Sequence, residues 1–227
     1  MKNIIASALV LAPLTICADG LGLYVPISFG TSETRSYALD EGGSAEGTIN
    51  YDNGTGFGIA YDSNLGKGNL YNYRFALEFR DDKPTEFNAV TRTTYNMIHT
   101  FGFGVYNNEK LRIFLGPQIN FQFAQHSYDF ETDDAHYQVG GGIAGVAGLN
   151  YSFNKYFALA ADLNYNLVYI AGVGDAEQAY TGKDKAVSAR FYAFFKFGET
   201  YEGKEVPSDN DSTEDSTSSD NLPPSLD

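Results

Sequence analysis

Eight stretches of the chain carry apolar residues at alternate positions, and this period of two restricts the fold more than any other feature. None of their odd-numbered positions is Asp, Glu, Lys or Arg, whereas their even-numbered positions hold Gly, Ala, Asn, Gln and every charge. Successive side chains of a strand point to opposite faces, so the sequence predicts eight β-strands with one uniformly apolar face. The stretches are 21–29, 57–61, 71–79, 95–105, 111–123, 137–149, 157–169 and 187–197.

The connections between these stretches alternate in length. Four long connections at one end and three short turns at the other are typical of transmembrane β-barrels. The sequence therefore predicts an all-β fold, an eight-stranded antiparallel up-and-down transmembrane β-barrel. The long connections are 30–56, 80–94, 124–136 and 170–186, and the short ones are 62–70, 106–110 and 152–155.

A water-soluble barrel with its apolar side chains inside is the alternative to this prediction. The polar face distinguishes the two, because a solvated exterior carries Lys, Arg, Glu or Asp at about 25–35% of its positions. The polar face here carries only eight charges, and small residues such as Gly102, Gly104, Gly140 and Gly142 are frequent on it. Small side chains suit a crowded interior, so we expect the apolar face to point to lipid.

Residues 1–18 have the layout of a secretory signal peptide. Lys2 gives a positive start, a short apolar run follows, and the small residue Ala18 closes the segment. The run is shorter than the about 20 residues that a membrane-spanning helix needs. A lipoprotein signal with a lipidated Cys17 is the alternative, but the isoleucine before it is bulky for that pattern. We expect cleavage after Ala18.

Charge is distributed unevenly along the chain. Lys+Arg is 15 and Asp+Glu is 29, which gives a formal net charge of −14. Such a chain lacks the basic face of a nucleic-acid-binding protein, so no nucleic-acid partner is expected. The segment 198–227 is rich in Ser, Thr, Asp and Pro, and has too few apolar side chains to offset its ordering entropy. We expect a barrel over 19–198 and a disordered acidic tail over 199–227.

The architecture resembles the small eight-stranded outer-membrane β-barrels of Gram-negative bacteria, typified by outer-membrane proteins A and X. The resemblance covers 19–198 and depends on the pattern of strands and loops. The last strand, 190–197 (RFYAFFKF), is similar to the aromatic-ended signal that barrel-assembly machinery recognises, here through Phe195 and Phe197. The resemblance implies a monomer in contact with outer-membrane lipid and lipopolysaccharide. Because the chain starts after a signal peptide and both barrel ends lie at the short-turn side, we expect the long loops outside the cell and the tail in the periplasm. The sequence indicates no cofactor.

Charged residues at even-numbered strand positions would point into the lumen. There they must be paired or reach water. They form either a gate along a narrow ion path or a static salt-bridge network, and eight strands leave room for little more than side chains. Besides Arg80, the candidate network consists of Asp62, Arg74, Glu78, Arg112, Asp162, Arg190 and Lys196.

The connection 126–136 gathers carboxylates that could hold a hard divalent cation. Asp129, Glu131 and Asp133 alternate, so an extended hairpin would place them on one face. The alternative is a solvated acidic loop, and the segment lacks the spacing and turn glycine of a calcium-binding loop. We expect no resident metal.

Some outer-membrane barrels of this size are enzymes acting on lipid A, and they need a serine, a histidine and a carboxylate close together. Ser127 adjoins His126, but neighbouring side chains on a strand point to opposite faces, and no His-x-Ser pair occurs. We therefore expect no enzyme. His99 conflicts with the pattern, because its parity places it towards lipid. Either a bulge turns it inward or its strand is misregistered.

Two functions remain open from the sequence. The first is a structural barrel that displays four extracellular loops for surface interactions. The second is a low-conductance pore for small solutes or ions.

The tail provides a test of topology. Because the eighth predicted strand runs towards the periplasm, protease added to intact cells should cut the outer loops and spare 199–227. Deletion of 199–227 should leave folding intact, whereas truncation into 195–197 should open the barrel seam and leave backbone groups that lipid cannot satisfy. Gel mobility with and without heating reports folding. Cleavage of the tail by protease added to whole cells would contradict the eight-stranded topology.

Overall fold

The computed structural model describes residues 20–38, 43–63, 65, 70–85, 90–128, 136–173 and 178–197. The predicted signal peptide, the predicted disordered tail and the candidate cation ligands Asp129, Glu131 and Asp133 lie outside these ranges. The described chain is a single antiparallel sheet of nine strands. The strands are β1 (Gly20–Ala38), β2 (Ser44–Tyr51), β3 (Thr55–Asp62), β4 (Tyr71–Asp82), β5 (Val90–Asn107), β6 (Leu111–Tyr128), β7 (His136–Ser152), β8 (Phe157–Val173) and β9 (Ala179–Lys196).

The sheet closes into a barrel because β1 pairs with β9 along its whole length, from Gly20 opposite Lys196 to Tyr37 opposite Tyr180. Strands β3 to β9 pair in chain order. On its other side β1 pairs first with β3 and then, further along, with β2. Strands β2 and β3 thus share one place in the ring, so nine strands fill eight positions. The predicted eight-stranded barrel is confirmed.

The barrel has two distinct ends. The turn end holds the connections 63–70, 108–110 and 153–156, and the loop end holds the connections 39–43, 83–89, 129–135 and 174–178. The predicted long connections are wrong in extent, because β1 continues to Ala38, β6 continues to Tyr128 and β9 begins at Ala179. Backbone pairing continues beyond the apolar part of the outer face. In these extensions the outward residues are polar too, so the alternation of apolar and polar residues no longer marks the strands.

An apolar belt surrounds the barrel on its outward face. Its side chains are exposed, for example Leu23 at 69%, Phe57 at 65% and Phe195 at 66%. Towards the loop end the outward positions become polar, as at Ser32, Asp81 and Ser127. A belt of this kind suits contact with lipid. Other members are Leu21, Val25, Ile59, Leu77, Phe101, Ile143, Leu163 and Phe191. No helix in the described ranges is long and apolar enough to cross a membrane.

A β-bulge in β1 changes which residues face the lumen. The register with β9 shifts between Ser28 and Gly30. Before the bulge the even-numbered residues are buried, and after it the odd-numbered residues Thr31, Glu33 and Arg35 are buried. The extra residue of a bulge reverses the two faces of a strand beyond it. The bulge therefore brings an acid and an arginine into the lumen.

Small residues make room for rings inside the barrel. A side chain at Gly148 would collide with the ring of Phe114, and one at Gly58 would collide with the ring of Tyr24. At the loop end Gly43 has φ of 137°, a conformation that favours glycine before β2.

His99 faces outward in the regular register, opposite Phe75 of β4. Both sequence explanations for it are wrong, because the register shift of β5 with β6 occurs later, after Gly104. The hydroxyl of Tyr73 lies 2.6 Å from Nδ1 of His99. The rings of Phe75 and Phe121 lie 5.2 and 6.2 Å from the imidazole. A hydrogen bond within an aromatic group therefore accommodates the polar ring on this surface.

The face assignment gives a stability prediction. Leu163→Arg places a charge in the middle of the apolar belt, and should lower the free energy of unfolding in lipid vesicles by about 2–4 kcal/mol. Ser127→Arg makes the same change on an outward position beyond the belt, and should cost only about 0–1 kcal/mol. Urea titration followed by gel mobility measures both. Equal costs would contradict the position of the belt.

Candidate functional site in the barrel lumen

The lumen is filled by polar side chains that point inward, and its buried charges balance. Among the described residues, six arginines and six carboxylates are buried. Charges removed from water are tolerated only when they are paired and hydrogen-bonded, so the pairing decides what the lumen can do. The arginines are Arg35, Arg74, Arg80, Arg92, Arg112 and Arg190, and the carboxylates are Glu33, Asp62, Glu78, Asp82, Asp162 and Asp184.

Arg74 organises the charges near the turn end. Its Nε lies 2.8 Å from Oδ2 of Asp62, and its Nη1 lies 3.2 Å from Oδ2 of Asp162. Its Nη2 donates to Oδ1 of Asn150 at 2.7 Å. Asp62 is its direct partner in the β3–β4 register, whereas Asp162 reaches it from β8 across the lumen. The guanidinium therefore joins opposite walls of the barrel.

Aromatic rings enclose the same guanidinium. The Cζ atom of Arg74 lies 4.3 Å from the ring centre of Tyr192, 5.3 Å from that of Phe194 and 5.4 Å from that of Phe114. Cation–π contacts of this kind strengthen when the cation is removed from water. Leu65 from the β3–β4 connection is buried beneath them and accepts a 3.0 Å hydrogen bond from Ser152 through its carbonyl. Rings and Leu65 together plug the turn end.

Arg190 continues the pairing at mid-barrel. Its Nε lies 2.8 Å from Oε2 of Glu78, and its Nη1 lies 3.5 Å from Oδ1 of Asp162, its register partner in β8. Glu78 also accepts a hydrogen bond from Asn96 at 2.9 Å and one from the hydroxyl of Tyr24 at 3.4 Å. Every oxygen of this carboxylate is therefore engaged.

Arg92 organises the charges near the loop end. Its guanidinium lies 3.0 Å from carboxylate oxygens of Glu33, Asp82 and Asp184. The ring of Tyr51 lies 4.0 Å from its Cζ atom, and the Tyr51 hydroxyl donates to Glu33. Glu33 and Asp184 are opposite each other in the β1–β9 register. Arg92 therefore offsets the repulsion between two carboxylates that closure of the barrel brings together.

Two further arginines complete the connections. Arg80 lies between Glu78 at 3.5 Å and Asp82 at 3.1 Å, its inward neighbours on β4. Arg35 pairs with Glu33 on β1. The ion pairs thus form one continuous chain of alternating sign from the turn end to the loop end, which we call the charge ladder. In order it consists of Asp62, Arg74, Asp162, Arg190, Glu78, Arg80, Asp82, Arg92, Glu33 and Arg35, with Asp184 as a branch at Arg92.

Five of the seven residues of the predicted lumen network belong to the charge ladder, and the other two make further contacts beside it. Arg112 donates to the carbonyl of Leu70 at 3.1 Å, and Lys196 donates to the hydroxyl of Ser152 at 3.2 Å. Both lie at the turn end, where β6 begins and β9 ends. The members that join the ladder are Asp62, Arg74, Glu78, Asp162 and Arg190.

Sequence reasoning missed the loop-end half of the ladder. Asp82, Arg92 and Asp184 have the same even parity as the predicted network, but they lie just beyond the predicted strand ends. Extending the parity would have found them. Glu33 and Arg35 are odd-numbered, and the bulge in β1 that turns them inward leaves no mark in the alternation.

The wall formed by β6, β7 and β8 is different, because apart from Asp162 its buried polar residues between the two ends are mainly neutral amides. Gln118 donates to Asn120 at 2.6 Å and to Asn166 at 3.3 Å. Between this wall and the ladder lies a cavity. The volume that the centre of a water-sized sphere can occupy in it is about 20 Å³. That is room for about one water. Its lining includes Asp184, Gln122, Asn120, Asn166 and Glu78.

The histidines and acids of the described ranges do not come together as a metal site. No group of three or more His, Cys, Asp or Glu side chains in these ranges could hold a metal ion. His126 points inward, where its Nε2 accepts from Nη2 of Arg35 at 3.2 Å. Its neighbour Ser127 is exposed on the outer face. These two side chains therefore lie on opposite sides of the barrel wall.

Removal of Arg92 should strongly destabilise the barrel. Arg92→Met leaves three buried carboxylates without their shared cation, and breaking a buried pair in this way costs about 3–5 kcal/mol. Lys110→Met removes an exposed charge at the turn end, and should change the free energy of unfolding by less than about 0.5 kcal/mol. Urea titration in lipid vesicles compares the two. Equal stability would show that the ladder is not needed for the fold.

Comparisons with known proteins agree with the geometry at the level of the fold. No family model and no curated protein matches the sequence. Among solved structures, the outer membrane protein OprG from Pseudomonas aeruginosa matches with a TM-score of 0.52 and 12% identity, over 81% of this chain and 99% of OprG. Ail, the attachment invasion locus protein of Yersinia pestis, matches with a TM-score of 0.42 and 15% identity, over 79% of this chain and 99% of Ail. At such identities the likeness concerns the fold alone. With its closed ring, apolar belt and filled polar lumen, this chain has the fold of the small outer-membrane β-barrels.

Proposed function

We propose that the protein is a closed outer-membrane barrel, a rigid anchor that presents its loop end at the cell surface for interactions. The observation that carries this proposal is the continuous charge ladder, which occupies the lumen from one end to the other. An eight-stranded barrel has an interior just wide enough for side chains. The filled lumen supports anchoring rather than transport.

Apolar and aromatic groups close both ends of the ladder. At the turn end Arg74 lies among three rings above Leu65. Towards the loop end Val168, Ile170 and Tyr180 pack together, and the guanidinium of Arg35 lies 4.7 Å from the ring of Tyr180. A solute would have to displace both groups to pass.

Opening the lumen would also separate buried charges. Arg74, Arg92 and Arg190 each contact carboxylates from different strands, so moving any of them leaves unpaired acids. An uncompensated buried charge costs about 3–5 kcal/mol. The closed state is therefore strongly favoured, which suits a rigid support.

The loop end offers a polar surface for contacts. Strands β1, β2, β5, β6 and β9 extend beyond the apolar belt and carry outward polar residues there. With the loop end outside the cell, this polar rim and its four connections would face the surroundings. We assign no chemical reaction to the protein.

A low-conductance pore is the alternative, and the mid-barrel cavity favours it. The cavity adjoins Glu78 and Arg190, the ion pair nearest the centre of the ladder. A path for water or ions would begin with the separation of this pair.

Planar-bilayer conductance of the refolded protein distinguishes the two functions. A closed anchor predicts no defined steps for the wild type or for Glu109→Ala, a matched removal of an exposed acid at the turn end. Defined wild-type steps that Glu78→Ala or Arg190→Ala abolish, and that Glu109→Ala retains, would overturn the proposal in favour of the pore.

A further inference from the structure

Two lysines lie side by side on the outer surface, immediately beyond the apolar belt at the loop end. Lys183 and Lys185 are exposed on β9, and Asp184 between them points inward. Among the described residues the arginines are all buried in the lumen, and the other exposed lysines are Lys83, Lys110 and Lys155, which are far apart in the sequence. Two exposed cations so close together on one face are therefore exceptional among the described residues.

On one side of β9, hydroxyl and amide side chains continue the two lysine rows across β1 and β2. On the other side, Lys183 and Lys185 are opposite Tyr169 and Leu167 of β8. Lys183 is opposite Thr34 in β1, which is in turn opposite Thr48 in β2. In the next row Lys185 is opposite Ser32, which is opposite Asn50 in β2.

The rows are close enough to act on one ligand. Strands lie about 4.8 Å apart and successive outward residues about 7 Å apart, so the two ammonium groups and the hydroxyls can reach the same group. The hydroxyls of Thr34 and Thr48 are 3.3 Å apart, and Nζ of Lys183 lies 5.7 Å from the ring centre of Tyr169. We call Lys183, Lys185, Ser32, Thr34 and Thr48 the cationic shelf.

An apolar wall lies directly below the cationic shelf. On β9 and β8 it consists of Val187, Leu163 and Tyr165, and on β1 it consists of Val25 and Phe29, all exposed. Apolar surface bounded by cations and hydroxyl donors fits an amphiphile with acyl chains and an anionic headgroup. Lysine stems extend along such surfaces while their ammonium groups reach the headgroup layer.

We propose that the cationic shelf binds a phosphate group of lipopolysaccharide, with the acyl chains against the apolar wall of β8, β9 and β1. Ammonium and hydroxyl donors form charge-assisted hydrogen bonds to phosphate oxygens. Asp184 and Glu33 point into the lumen, and the exposed Glu46 of β2 lies one outward row further from the apolar belt, opposite Ser36. The inference rests on the proposed outer-membrane function with the loop end outward, and it names the lipid that this end contacts.

Binding of purified diphosphorylated lipid A tests the proposal. The full chain is refolded in phosphatidylcholine nanodiscs, and lipid A retained by the barrel is measured by native mass spectrometry. Lys183→Gln/Lys185→Gln should weaken retention by about 30-fold, since each lysine near an anionic lipid contributes about a factor of five. The control is Lys110→Gln/Lys155→Gln at the turn end, where Lys155 likewise lies over a tyrosine ring, 4.9 Å from that of Tyr156. The control should bind as the wild type does.

Two further probes identify the part of the lipid that is recognised. The wild type should retain dephosphorylated lipid A only as weakly as Lys183→Gln/Lys185→Gln retains diphosphorylated lipid A. Inorganic phosphate at equal concentration should not displace the bound lipid. Equal retention by the wild type and both double variants would overturn the proposal, as would equal retention of dephosphorylated lipid A. Gel mobility confirms that each variant folds. The conductance test does not depend on these lysines. If the lipid A experiment fails, the proposal of a closed anchor is unaffected. If the protein conducts, lipid A retention still tests the cationic shelf.

Discussion

The whole structure depends on keeping charged side chains paired inside a barrel too narrow for bulk water. Arg74, Arg190 and Arg92 meet this constraint at three levels, and each bridges carboxylates that different strands contribute. The strands that supply the ladder are β1, β3, β4, β5, β8 and β9, so its ion pairs cross the lumen as well as follow the wall. Because every carboxylate has a cation and every step alternates in sign, the ladder couples the registers of the strands to one another.

The same pairing of buried charges favours a closed barrel over an open channel. The charges of the ladder are paired with one another, and aromatic rings surround the guanidinium of Arg74 at the turn end. Beside the ladder, the neutral amides of β6 to β8 line a cavity with room for about one water. The proposed interactions therefore involve the outer surface, where the apolar belt meets a polar rim and the proposed cationic shelf.

The bulge in β1 links these inner and outer features. Beyond it Glu33 and Arg35 turn into the lumen, while Ser32 and Thr34 turn outward beside Lys185 and Lys183. One extra residue thus supplies an acid to Arg92 and hydroxyls to the shelf. Without the shift, Glu33 would face outward and oppose the anion-binding character of that surface.

The sequence by itself determined the fold class, the apolar belt and the turn-end half of the lumen network, because side-chain direction in a regular strand follows parity alone. It identified Asp62, Arg74, Glu78, Asp162 and Arg190 for that reason. Only the tertiary structure decided which charges meet, since the Arg74–Asp162 and Arg92–Glu33 contacts join strands that are neighbours only across the closed lumen. It also decided where the strands end and which way Glu33 points. Backbone pairing sets where the strands end, and the bulge sets which way Glu33 points. Neither of them is visible in the alternation of apolar and polar residues along the sequence.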